Sequence, residues 1–317
     1  MYRKFLFILI AALQITNIIA AEREVLLKYG DMEQWFTRII SESGIIGGDE
    51  KTLYEIAPEG ENTENEPYYN LGGSQWATSN VMAKVAGITK TNSSVSPFEL
   101  DGGGKVAHLV TRIEKVKVLG IINISVIAAG SIFQGSVVEP ITGTKDPHKY
   151  LNSGIEFSER PKALRFDYKI QLSGEPNRIR MTGFSSTKTI EGIDMPTAIL
   201  LLQKRWEDND GNIYASRIGT IVINYTQDSD WVKDATYQII YGDATKSPDY
   251  TPNMNIGHEE RYAINSQGEN VPVTEVSWAD ADETPTHMIL HFASSHGGAY
   301  IGSPGTQMWL DNIRLVY

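Results

Sequence analysis

Three serines, a histidine and four glycines crowd the loop Ser294-Ser295-His296-Gly297-Gly298-Ala299-Tyr300-Ile301-Gly302-Ser303-Pro304-Gly305 near the C-terminus. His296-Gly297-Gly298 is similar to an esterase oxyanion loop, but Ser-His acyl chemistry also needs a Gly-x-Ser-x-Gly elbow, which the sequence lacks. Glycoside hydrolysis needs two carboxylates roughly 5 to 10 Å apart. Acidic residues are plentiful, yet no Glu-x-Asp-x-Glu cluster falls on a strand, and Glu207, Asp208 and Asp210 read as a hairpin turn. Binding without catalysis is less demanding: a ring to stack on the apolar face of a sugar, and planar polar side chains for its hydroxyls. Trp76, Asn80, Arg112, Asp167, Lys169, Ser295 and His296 have those chemistries. Each has a plainer alternative: core packing for Trp76, a solvated ion pair for Asp167 and Lys169, a simple loop residue for His296.

The elements that must position these groups are strands. In Ala163 to Leu172, Leu164, Phe166, Tyr168, Ile170 and Leu172 form one face and Arg165, Asp167, Lys169 and Gln171 the other. Lys105 to Ile113 alternates too, which puts Arg112 opposite Leu109 and Thr111. Thr197 to Trp206 and Ile213 to Ile218 flank an Asp-Gly hairpin signal, and Thr220 to Tyr225, Ala235 to Tyr241 and Met288 to Ala293 are further strands. A first strand is expected at Glu24 to Tyr29 and a short one near Leu53 to Ile56, within loops from 41 to 75. Between Met308 and Tyr317 the apolar face shifts by one residue at Asp311-Asn312, which predicts a β-bulge in a strand buried at the chain end. Residues 242–286, polar and carrying Pro248, Pro252, Pro272 and Pro285, read as a long loop. With no long helical period outside the first residues, the pattern predicts an all-β sandwich or barrel.

Met1-Tyr2-Arg3-Lys4, the apolar run Phe5 to Leu13 and the small pair Ala20-Ala21 predict a secretory signal peptide over 1–21, leaving a single domain over 22–317. Its removal leaves 26 basic against 39 acidic residues, a net charge of −13. That balance argues against a nucleic-acid partner. No later stretch is long and apolar enough to span a membrane; Leu119 to Ala129, the most apolar run, is too short. Without cysteine there is neither a disulfide nor a lipid-anchor site, so a secreted or periplasmic location is expected.

Trp76-Ala77-Thr78-Ser79-Asn80, Ala107-x-Leu109-x-Thr111, Ala129-Gly130-Ser131-Ile132-Phe133-Gln134-Gly135, Arg160-Pro161, Asp167-Tyr168-Lys169, Ser294-Ser295-x-Gly297 and Leu310-Asp311-Asn312-Ile313 occur in an order and spacing that resembles the Putative carbohydrate metabolism domain of Bacteroidetes proteins. The resemblance runs from about Gly30 to Tyr317. It implies a β-sandwich jelly roll similar to carbohydrate-binding modules and jelly-roll glycoside hydrolases, with a sugar site in a pocket. It implies a part in glycan utilisation, with a glycan or oligosaccharide as ligand and cell-surface glycan-uptake proteins as partners. Two readings stay beside binding: a glycoside hydrolase of the same fold, and an adhesive sandwich for a protein partner. Gly30-Asp31-Met32-Glu33 and Leu310-Asp311-Asn312 are similar to the paired strands in which carbohydrate-binding modules hold a structural Ca²⁺, which implies Glu33 and Asp311 as ligands; a carboxylate that only caps the bulge is the alternative.

Overall fold

The computed structural model describes residues 22–43, 49–69, 71–85, 87–118, 122–143, 145–183 and 186–317. The expected signal peptide lies outside the described residues. Strands form where apolar and polar residues alternate, and the two largest sheets pack face to face as a β-sandwich jelly roll. The first has the order Ser229–Gln238, Ala163–Gln171, Gln307–Val316, Lys105–Val110, Val95–Glu99, with Glu24–Leu26 added beside the C-terminal strand. The second is larger. It runs from Leu151–Ser153 through Ser131–Val137, His287–Ala293, Thr197–Glu207, Ile213–Asn224 and Asn270–Trp278 to Tyr262–Ile264.

One core fills the space between them. Leu164, Phe166 and Ile170 point into it from the first sheet, and Ala198, Leu200, Leu202, Leu290 and Phe292 from the second. Burial of such side chains is the main favourable term in folding. The C-terminal strand lies in the middle of its sheet, as its apolar ending predicts. The bulge is present: Asn312 has a left-handed φ of 53°, the register shifts between Arg165 and Asp167 on the neighbouring strand, and Leu310 and Ile313 are both buried on either side of it.

Several boundaries differ from expectation. Ile213–Asn224 is one strand rather than two, and Lys105–Val110 ends before Thr111, whose amide still donates to the Thr306 carbonyl in register with the Val110–Gln307 pair. Residues 242–286 are not a structureless loop. They hold two short 3₁₀ turns and the strands Tyr262–Ile264 and Asn270–Trp278, because Val271, Val273 and Ala263 have an apolar partner in Ile213 and Ala215. The region before Ser96 also holds more strand than its polar composition suggests: Trp35–Ser41, Glu50–Ile56 and Gly60–Asn62 form a small sheet, and Val81–Val85 pairs with Ile88–Asn92 as a hairpin. At the centre of the small sheet Arg38 is buried between two carboxylates, donating to Glu55 at 2.8 Å and to Glu139 at 2.6 Å.

Candidate functional site

The alternation that sends Ala198, Leu200 and Leu202 into the core sends Thr197, Ile199, Leu201 and Gln203 to the outer face of the larger sheet. His291 stands in register with Ile199 on one side and with Phe133 on the other, so Phe133, His291 and Ile199 form a row across three strands. Residues 253–261 lie over part of this face. The Val81–Asn92 hairpin, the strand Ile122–Ala128 and the loop Ser295 to Ile301 wall the rest. The enclosed cleft has a volume of about 990 Å³, and a side pocket of about 90 Å³ extends it towards Gln203, Arg217 and Glu275.

The covering segment is anchored by charge. Arg217 and Glu275, both buried, form a two-pronged ion pair; Glu275 also accepts from Gln203 Nε2 at 2.7 Å and from the Gly257 amide at 2.9 Å. Burial opposes the charge of Glu275, but Arg217 outweighs it and holds the carboxyl below the usual range. Glu259 and Arg261 project from the same segment, and Arg261 donates to Glu259. Arg261 Nη1 lies 3.4 Å from His291 Nδ1, and its Nε is buried without a partner. Burial, and then the Arg261 charge, push His291 down to about 3, so it is a neutral imidazole. His148 is lowered by the same two causes. Against its own burial, Glu259 is held below the usual carboxylate range chiefly by the Arg261 charge. The cleft thus offers a fixed ion pair and neutral imidazoles, groups that donate to and accept from hydroxyls, set between apolar walls such as Ile199, Leu201 and Phe133.

The seven side chains singled out in the sequence are not brought together. Ser295 and His296 line the cleft. Ser295 Oγ donates to Asp194 at 2.7 Å, while His296 Nδ1 faces the Met195 amide at 3.1 Å, so the serine is not bonded to the imidazole that would activate it. Trp76 is in the core, its indole N–H donating to the Lys28 carbonyl. Asn80 is buried and ties Tyr54 to Val95. Arg112 is exposed at the start of the Arg112–Val118 strand. Asp167 and Lys169 lie on the outer face of the other sheet. There Asp167 accepts from the Asp234 amide, Asn312 and Lys233, and the Lys169 ammonium sits 5.4 Å from the centre of the Trp309 ring. That face is filled by its own ion pairs.

Glu33 and Asp311 are near the chain ends as expected. Among the described residues no group of three or more metal-ligating side chains gathers. Glu33 accepts from the Lys105 amide and Asp311 from Asn312. Two observations nevertheless suit a cation: Asp31 Oδ1 is buried without a partner, and Asp311 is pushed up to about 6 by burial and by the nearby charges of Asp167 and Glu33.

Residues 49–188 match the family model described as Putative carbohydrate metabolism domain. No curated protein matches the chain. One solved structure that aligns with it is described as a putative glycoside hydrolase from Bacteroides thetaiotaomicron, at 18% identity, over 86% of this chain and 76% of that one, with a TM-score of 0.45. The family match includes Phe133, His148 and the hairpins that wall the cleft, whereas His291 and the 253–261 segment lie beyond it. Over residues 49–188 the chain is thus similar to the Putative carbohydrate metabolism domain family.

Proposed function

We propose that this is an exported glycan-binding protein whose ligand occupies the cleft on the outer face of the larger sheet and is held there without catalysis. The observation that carries this reading is the cleft itself: a volume fit for an oligosaccharide segment, apolar walls for ring faces, and the Arg261–Glu259 pair with neutral His291 and His148 for hydroxyls. No helix of the described residues is long and apolar enough to cross a membrane. One observation favours a second reading. Glu114 is raised by burial while Glu259 is held ionised, and both line the cleft, which is the division of labour between the acid and the base of a glycosidase. Purified chain 22–317 on a broad glycan array is expected to bind a related set of glycans and to leave them at unchanged mass after overnight incubation. Shortened products would establish the second reading, and a folded protein that binds no glycan would sink both.

The same reading extends to a structural Ca²⁺ held by Glu33 and Asp311. Chelation with EDTA is expected to lower the melting temperature and added Ca²⁺ to restore it. Superimposable melting curves would remove the ion from the account.

A further inference from the structure

Beyond the Arg217–Glu275 pair, the strands Thr197–Glu207, Ile213–Asn224 and Asn270–Trp278 continue as a three-stranded extension. One face of it is covered: Ile213, Ala215 and Val273 pack against Ala263. The other carries two cross-strand rows. Trp206 is directly opposite Tyr214, which is opposite Thr274; Lys204 is opposite Ser216, which is opposite Ser277.

Tryptophan is an expensive residue to leave in water, and Trp206 is 44% exposed. Its orientation is nevertheless fixed. The Tyr214 ring lies 5.9 Å away with its plane only 23° from that of the indole. The hairpin that joins the two strands is locked as well. Asp208 accepts from the amides of Asp210 and Asn212, and Gly211, in the left-handed region at φ +84°, gives its carbonyl to Asn265. Glu207 accepts from the amide and hydroxyl of Ser266. A ring pair held this rigidly in a row of hydroxyls has little ordering left to lose when it meets a ligand.

We propose that this face is a second glycan-binding surface, separate from the cleft, on which Trp206 backed by Tyr214 stacks against a sugar ring of a neutral polysaccharide. Three features select that occupant. A pyranose has an apolar C–H face and a rim of hydroxyls, which match the indole face and the Thr274, Ser216 and Ser277 hydroxyls beside it. A protein-docking patch would have a broader apolar centre, whereas the residues beside Trp206 in both rows are mostly polar. The acidic turn Glu207-Asp208-Asn209-Asp210 borders the ring pair in a chain of net charge −11, so polyanionic glycans are repelled. The surface does not rest on the cleft reading.

Native electrophoresis of the mature chain through gels containing hydroxyethylcellulose, xylan, mannan or, as the anionic control, polygalacturonate tests it. At least one neutral polysaccharide is expected to retard the wild type. Trp206→Ala is expected to weaken that retardation about tenfold or more, the size of effect that losing one aromatic stacking partner and its buried area produces. Trp206→Phe should bind with intermediate strength, and Lys169→Ala, altered on the opposite sheet, should be retarded like the wild type. Equal retardation of Trp206→Ala and wild type, retardation by polygalacturonate alone, or none in any gel would overturn the proposal.

Discussion

Replacing Arg38 with methionine should cost about 3–5 kcal/mol of unfolding free energy, because it leaves the buried Glu55 and Glu139 side chains without the cation they share. Arg38 joins the small N-terminal sheet to its surroundings. Besides Glu55 and Glu139 it reaches the Glu66 carbonyl, and Glu139 in turn accepts from the amides of Tyr68 and Met82. One guanidinium cannot neutralise two buried carboxylates. Burial raises Glu55 to about 8, with Glu139 adding to the shift and Arg38 opposing it. Glu55 is therefore protonated at pH 7. Folding then takes up a proton between the ordinary carboxylate range and about pH 8, so this group's contribution is complete at low pH and is lost as the pH rises through about 8. Glu55→Gln, which imitates the protonated side chain, should stay within about 1 kcal/mol of wild type at pH 5, abolish that slope, and so be the more stable of the two at pH 7. Urea denaturation of the three proteins between pH 5 and 8 measures both effects. A mild Arg38→Met, or a Glu55→Gln as damaging as Arg38→Met, would mean the pair is not organised in this way.

Glu275→Ala should be comparably costly, about 3–5 kcal/mol, since it strands Arg217 inside the protein, but its first consequence should be local. Without Glu275 the Gly257 amide and Gln203 lose their acceptor, and residues 253–261 keep the sheet only at their two ends, through the Met254 carbonyl with Arg217 and the Arg261 carbonyl with the Val273 amide. Amide exchange is expected to accelerate through 255–261 well before it does in Ala163–Gln171, and glycan affinity should fall with it. The pH dependence has the opposite sign to that of Glu55. The folded protein holds Glu275 below the ordinary carboxylate range, so the stabilisation is present at neutral pH and is lost as the pH falls through that lowered value. Uniform acceleration across the molecule would show that the pair supports the whole sandwich rather than the wall of the cleft.

Much of the fold is legible in the sequence because strand alternation is a local signal. Leu164, Phe166 and Ile170 declare a buried face, and the shift at Asp311-Asn312 declares a bulge. Residues 81–92 are less legible: threonines and lysines among valines and isoleucine look like loop, yet they form a hairpin because the cleft wall accepts mixed faces. The site is the least legible part. Alternation shows that Asp167 and Lys169 point away from the core, and it shows the same of Ile199 and His291. It does not show which of the two outer faces another segment will cover. That decision is made by Arg217 pairing with Glu275, 58 residues later in the chain. His258-Glu259-Glu260-Arg261, the densest run of titratable side chains in the 242–286 segment, was a signal that the eventual wall carried chemistry.

The most direct test of the account is to take the strongest ligand from the glycan array and measure its affinity calorimetrically for wild type, Arg261→Ala, His291→Ala and Lys169→Ala, with melting curves to establish that each is folded. The cleft account predicts that Arg261→Ala and His291→Ala each lose about tenfold or more in affinity, as removal of a buried hydrogen-bonding group does, while Lys169→Ala binds like the wild type. Loss confined to Lys169→Ala would place the sugar on the opposite sheet and contradict it.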